Sequence, residues 1–185
     1  LPILRVGLYG GTFDPIHNGH LHVITSLISK SLVDRLIIVP AGEPQLRDNL
    51  PHANGAARRA MCQLAIADLA DAIKAKVEVN PIEILREGPS YTIDTVAAIA
   101  ATYPEATVVV IVGTDAFAKI DQWHRSAELK DLVEFLVIDR PGAHTPGAID
   151  IGALDISATE VRAGKKDALP QSVATYIKEN NLYAR

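Results

Sequence analysis

Short runs of aliphatic and β-branched residues alternate along the chain with longer segments whose apolar positions recur every three or four residues. Ile3–Tyr9 and Arg35–Pro40 read as strands, the second closed by its proline, and between them His20, Leu21, Ile24, Leu27 and Ile28 mark one face of a helix. Ala56–Ala70 carries a helical pattern. Lys76–Ile84 reads as extended, with Pro81 favouring an edge or a bend, and Ser90-Tyr91-Thr92 offers N-cap chemistry for a helix through Ala101. Thr107–Val112 shows no alternation, the pattern of a strand covered on both faces. Glu134–Ile138 is a further strand, a short one is expected near Ile149–Ile151, and helices begin at Ser157 and after Pro170. Of the two main loops, 41–54 and 141–148, the first is longer than most in compact domains, and such loops often carry function. This alternation predicts a parallel sheet wrapped by helices, with ligands at the carboxyl ends of the strands, where the Gly10 and Gly113 loops fall. With no repeat, linker or low-complexity tract, one domain spanning 1–185 is expected.

Composition narrows this picture by exclusion. The 185 residues are 48% hydrophobic and 22% charged, and the net charge of -4 argues against a general nucleic-acid binder. A phosphate-bearing substrate must then be held by local groups. The single cysteine, Cys62, rules out an internal disulfide, and its apolar setting reads as buried helix. The apolar run Leu1–Leu4 is too short for a signal peptide and ends at Arg5, and no stretch approaches the roughly 20 apolar residues of a membrane span. A cytoplasmic location and no membrane partner are expected, with homo-oligomerisation left open.

The densest chemistry lies at residues 10–20, Gly-Gly-Thr-Phe-Asp-Pro-Ile-His-Asn-Gly-His, directly after the first strand. Gly10 and Gly11 let the backbone approach a ligand where a Cβ would intrude. His17 and His20, three apart at a helix start, share one face. A strand, a glycine turn and a helix N-terminus make an anion site, and imidazoles beside it suggest chemistry on a phosphate. The P-loop ending Gly-Lys-Ser/Thr and the G-x-G-x-x-G fingerprint are both absent. Each fragment alone could be an ordinary turn or a solvated histidine; the ordered string is harder to assign to chance.

That string resembles the first signature of the nucleotidyltransferase superfamily with the His-x-Gly-His motif. Ile156-Ser157-Ala158-Thr159-Glu160-Val161-Arg162 resembles its second, Ile-Ser-Ser/Ala-Thr-x-Ile/Val-Arg. The resemblance runs over nearly the whole chain and implies an α/β, Rossmann-like parallel sheet with helices on both faces, acting on ATP with Mg²⁺ bound chiefly by the triphosphate. It casts Gly10, Gly11, Thr12 and Phe13 as the ATP-binding loop and His17 and His20 as donors to the α-phosphate, His20 the stronger catalytic candidate. His22, on another face, is incidental. Ile156, Ser157 and Arg162 would meet the β,γ-phosphates, Arg162 with a forked guanidinium. Gly113 and Asp115 fall where ribose or adenine is held, and Arg140 borders the adenine pocket. No protein metal ligand is expected.

Four segments point to the acceptor. Pro89-Ser90-Tyr91-Thr92-Ile93-Asp94-Thr95, Gln122-Trp123-His124, the C-terminal Leu169-Pro170…Leu182-Tyr183 and Arg58…Met61…Leu64-Ala65-Ile66 are similar to segments of bacterial nicotinate-mononucleotide adenylyltransferases. The resemblance implies nicotinate mononucleotide as acceptor, its ring stacked on Trp123 and its carboxyl group near Thr92 and the His124 backbone. Arg47 would meet its phosphate, although Leu46 stands where the family often has histidine and Glu43 would repel that group. The competing readings are a pantetheine-phosphate adenylyltransferase, usually shorter and without the Ser-Tyr-Thr and Trp segments, and a non-catalytic nucleotide-binding module.

Overall fold

A computed structural model describes residues 2–42 and 50–184, apart from the Lys166 side chain. The described residues form one five-stranded parallel sheet of order β3-β2-β1-β4-β5. The strands are β1 (Arg5–Gly11), β2 (Arg35–Pro40), β3 (Val77–Val79), β4 (Thr107–Gly113) and β5 (Glu134–Ile138). From β1 the chain winds outward through β2 to β3, then returns to β1's other side for β4 and β5. Such a reversal leaves a crevice beyond the carboxyl ends of β1 and β4, where open α/β sheets bind ligands.

The helices are α1 (Asn18–Ser29), α2 (Gly55–Ala67), α3 (Asp71–Lys74), α4 (Ile82–Leu85), α5 (Thr92–Thr102), α6 (Thr114–Phe117), α7 (Ser126–Leu132), α8 (Ala158–Arg162) and α9 (Gln171–Glu179). They cover both faces of the sheet, because successive strand residues point to opposite sides. On one face Leu36, Ile38, Val109 and Ile111 pack with Ile24 and Leu27 of α1, Met61 and Cys62 of α2 and Val173 of α9. On the other, Ile37, Val39, Val108 and Val110 pack with Ile93, Val96 and Ile99 of α5 and Leu129 of α7. Full burial of each such side chain stabilises the fold by about 1.5–3 kcal/mol. Cys62 sits inside the first core, as its sequence setting implied.

Several boundaries differ from the sequence expectation. β1 runs on through Gly10 and Gly11, which pair in register with Val39 and Pro40, so the glycines close the strand rather than form a turn. Only Val77–Val79 of the expected 76–84 strand pairs with β2, and beyond Pro81 the chain turns into α4. Near 149–151 there is a single bridge, Ile138 to Ile149, rather than a strand. In α1, Ser26 joins Ile24, Leu27 and Ile28 in the buried set, whereas His20 and Leu21 are half-buried. α5 begins at Thr92 with Tyr91 as its N-cap and no side-chain cap; Ser90 Oγ instead accepts from Arg86 Nη1 (3.1 Å).

Candidate active site

The His-x-Gly-His segment folds into a closed hydrogen-bonded unit at the start of α1. His17 is the N-cap, and its Nδ1 accepts from the Gly19 amide (3.0 Å). His20, three residues on, accepts the His17 amide at its own Nδ1 (3.1 Å), a capping box built from two imidazoles. The rings stack with centroids 3.8 Å apart. A Cβ on Gly19 would lie 2.8 Å from Cε1 and 2.9 Å from Nδ1 of His17, so glycine is what lets the His17 ring fold back over the helix start.

Both Nδ1 atoms accept a backbone proton, so each neutral ring carries its own proton on Nε2. Both rings stay neutral well into the acid range. Burial pushes His17 down to about 4; burial and then the neighbouring His17 hold His20 well below the ordinary histidine value. The pair is therefore two fixed N–H donors with no charge of their own. Phe13 supports it from below: its ring is 2% exposed and meets His20 edge-on at 4.9 Å. Expected among the ATP-binding residues, Phe13 can offer a nucleotide only its backbone, because the ring is buried under His20. Its left-handed φ of 50° is held by that packing.

The second signature docks directly on the first. A Cβ on Gly19 would lie 3.5 Å from the Ile156 Cβ. Arg162 Nη1 donates to the Asp14 carbonyl (2.8 Å), and its Nη2 reaches Thr159 Oγ1 (3.4 Å). Ser157 caps α8 by accepting the Glu160 amide (3.2 Å), which leaves its O–H available as a donor. With five residues α8 has only a small dipole, so these side chains, rather than the helix terminus, carry the anion-binding capacity.

Asp14 was given no role on sequence grounds, yet it ties the site together. Its carboxylate accepts from the amides of His52 (2.7 Å) and Ala53 (3.0 Å) and from Tyr183 Oη (2.6 Å). Burial alone would raise its pKa; the Tyr183 bond, the two amide bonds and the Arg162 charge outweigh it and hold the carboxyl below its ordinary value. Arg58, buried in α2, likewise ties the loop after β1 to both ends of the 41–54 loop: Nε donates to the Ala53 carbonyl, and Nη1 to those of Thr12 (2.9 Å) and Ala41 (2.7 Å). Buried Asp and Arg are rare unless partnered, and the sequence signal for Asp14 is that it is the single acidic residue of the 10–20 string. Tyr183 lies 169 residues away, at the end of the C-terminal segment that carries the resemblance, and nothing in the sequence ties it to Asp14.

At the ends of β4 and β5, Asp115 and Arg140 form an exposed ion pair (3.4 Å). A Cβ on Gly113 would meet nothing within 4 Å, and one on Gly10 only the Val39 carbonyl at 3.9 Å, so the crevice between the two strand ends has open walls. The Arg140 turn is shaped by buried Asp139, which accepts from the Thr145 amide and hydroxyl and from the Arg140 amide.

The third cluster lies at the start of α5. Tyr91 stacks on His124 with centroids 4.1 Å apart, joining the α5 N-terminus to the turn that carries Trp123. Trp123 is half-buried against the same core as Tyr91. The α5 N-terminus, where Thr92 follows Tyr91, is thus joined to the turn of Trp123 and His124 through Tyr91, a residue of the acceptor-like segment Pro89–Thr95 that has no separate role in the sequence analysis. Arg47 lies outside the described residues. His22 Nε2 pairs with the Ile151 carbonyl (2.7 Å), a tie between α1 and the 149–151 segment and no part of the site.

This arrangement of imidazole donors, guanidinium and an open glycine-edged crevice coincides with a match of the cytidylyltransferase-like family model to residues 8–164. The chain belongs to the cytidylyltransferase-like family. Nicotinate-nucleotide adenylyltransferase of Bacillus subtilis is 32% identical over 190 residues, covering 97% of this chain and 98% of that one. A probable nicotinate-nucleotide adenylyltransferase of Acidithiobacillus ferrooxidans is 37% identical over 135 residues, and that alignment covers 73% of this chain and 59% of the relative. Among solved structures, Plasmodium falciparum nicotinic acid mononucleotide adenylyltransferase complexed with NaAD superposes with a TM-score of 0.82 over 97% of both chains at 22% identity, which shows the shared fold. Among the described residues no helix is long and apolar enough to cross a membrane.

Proposed function

We propose that this protein transfers the adenylyl group of ATP to nicotinate mononucleotide, forming nicotinate adenine dinucleotide and releasing pyrophosphate. The observation that carries the reading is the His17–His20 unit with Arg162 docked beside it, because the two Nε2–H donors and a guanidinium meet at the loop edging the crevice.

The acceptor phosphate is already an anion, so the reaction needs alignment and charge stabilisation more than a base. His17 and His20 donate to α-phosphate oxygens, His20 most where negative charge grows as the bond to the leaving group breaks. Loss of one such donor costs about 10²–10³ in rate in other enzymes. Arg162 binds the departing pyrophosphate, with Ser157 and Ile156 beside it. Gly10, Gly11 and Thr12 border the triphosphate, and Gly113, Asp115 and Arg140 hold the nucleoside. Among the described residues no three His, Cys, Asp or Glu side chains group to hold a metal. The donor set of imidazole N–H and guanidinium fits a polyphosphate, and Mg²⁺ held chiefly by the triphosphate of ATP would supply charge neutralisation there.

The pyridine ring stacks on Trp123, and its carboxylate meets the first-turn N–H groups of α5 at Thr92 and the His124 backbone. An amide in that place turns an NH₂ toward a donor, at a cost of about 1–3 kcal/mol. With these small nucleotide substrates the protein works in the cytoplasm. The test is pyrophosphate release with ATP, Mg²⁺ and, in turn, nicotinate mononucleotide, nicotinamide mononucleotide and phosphopantetheine. Turnover with the first, favoured over the second by at least about tenfold in kcat/KM on that penalty, is expected. Preference for phosphopantetheine would overturn the acceptor, and no turnover with any would overturn the activity.

A further inference from the structure

We propose that Tyr183 is a positioning residue for this reaction, keeping Arg162 directed at the phosphates by satisfying the Asp14 carboxylate. The inference rests on the adenylyl-transfer reading given above. Asp14 presents two acceptors to different partners. Its carbonyl takes Arg162 Nη1 (2.8 Å), while its carboxylate takes Tyr183 Oη (2.6 Å) and the amides of His52 and Ala53. The phenol must be the donor, because an ionised carboxylate can only accept. Tyr183 holds this pose at a left-handed φ of 57°, uncommon for an aromatic residue, with its ring packed against the core formed by α1, α2 and α9.

The consequence follows from the burial of Asp14. A buried carboxylate that loses one of its donors seeks another: the His52 ring stands 3.5 Å from Oδ2, the oxygen that Tyr183 does not use, and the charge of Arg162, bonded to the same residue's carbonyl, already acts on the carboxylate. In the present arrangement the phenol occupies Oδ1, so the guanidinium rests on the neutral carbonyl and retains its remaining N–H groups for an incoming phosphate. Without the phenol, Arg162 is drawn to the carboxylate and away from the pyrophosphate. A residue of the C-terminal segment thereby sets the availability of a site residue more than a hundred positions away from Asp14 in the chain.

Tyr183→Phe removes the hydroxyl and keeps the ring in its packing. Its thermal unfolding midpoint should stay close to the parent's, while kcat falls about 5- to 20-fold, the size expected for misplacing one charged donor. The decisive readout is a double-mutant cycle with Arg162→Ala. If Tyr183 acts through Arg162, Tyr183→Phe costs little further activity in the Arg162→Ala background. The same cycle is measured on ATP binding affinity in the four proteins, which needs no turnover. Failure of the parent to release pyrophosphate would therefore overturn the catalytic reading and still leave the binding cycle to decide this one. Additive effects in the cycle, or an unchanged Tyr183→Phe enzyme, would overturn the inference.

Discussion

Substituting Gly19 by alanine separates the stability of the His17–His20 unit from its chemistry. The added methyl would sit 2.8–2.9 Å from Cε1 and Nδ1 of the His17 ring, well inside van der Waals contact. That ring is the end of a rotatable side chain, so it swings aside instead of straining the backbone. Its movement breaks the bond from the Gly19 amide to Nδ1, an N-cap interaction typically of about 1 kcal/mol. Alanine in place of glycine near a helix start gains back up to about 1 kcal/mol. The two nearly cancel, so the unfolding midpoint should move by only a few degrees, about what a residual 1 kcal/mol produces. Activity has no such compensation. The His17 ring also stacks on His20, so its displacement moves one Nε2 donor and loosens the other. Misplacement on the order of 1 Å costs about 10²-fold in rate. Steady-state kinetics and thermal denaturation on the same preparations give both quantities. A Gly19→Ala enzyme within about threefold of parental kcat, against that 10² expectation, would refute the claim that the His17 pose matters. A large loss of stability would refute the claim that the ring, not the backbone, yields.

Two further predictions concern charge. Arg162→Lys should recover only part of the activity lost in Arg162→Ala, since the ammonium cannot both hold the Asp14 carbonyl and present a fork to phosphate; full recovery, measured as kcat/KM for ATP, would reduce Arg162 to a point charge. Stability should fall on acidification between about pH 6.5 and 4. His17 takes up a proton near 6.5 when unfolded but only near 4 when folded, so the unfolded state binds more protons in that window and folding is favoured above it. The His17 contribution lost on acidification is about 3 kcal/mol. Denaturant titrations of the parent and His17→Gln at several pH values test this, and equal pH dependence in the two proteins would contradict the burial of a neutral His17.

The sheet was legible because its strands are encoded locally. Thr107–Val112 shows no alternation, with Val108–Val112 apolar at every position as in a strand with two covered faces, and the structure extends it by one residue to Gly113. The candidate site was legible where chemistry is contiguous, as in His17-Asn18-Gly19-His20 and Ser157–Arg162. Two kinds of feature escaped. Short helices such as α6 and α7 carry too few turns to show periodicity and are specified by packing against β4, β5 and α5. Long-range polar ties escaped as well: nothing near Asp14 in the chain announces Tyr183, and the phenol finds its carboxylate only once α9 has docked on α2.

The central claim, that neutral imidazole donors at the start of α1 drive adenylyl transfer, is tested most directly with ATP labelled at the α-phosphate and nicotinate mononucleotide in single turnover. The parent should move the label into the dinucleotide, and His20→Ala should do so about 10²–10⁴ times more slowly with ATP affinity little changed, because the lost interaction strengthens as charge develops. Equal rates in the two proteins, or label recovered only as AMP or in ATP, would contradict it.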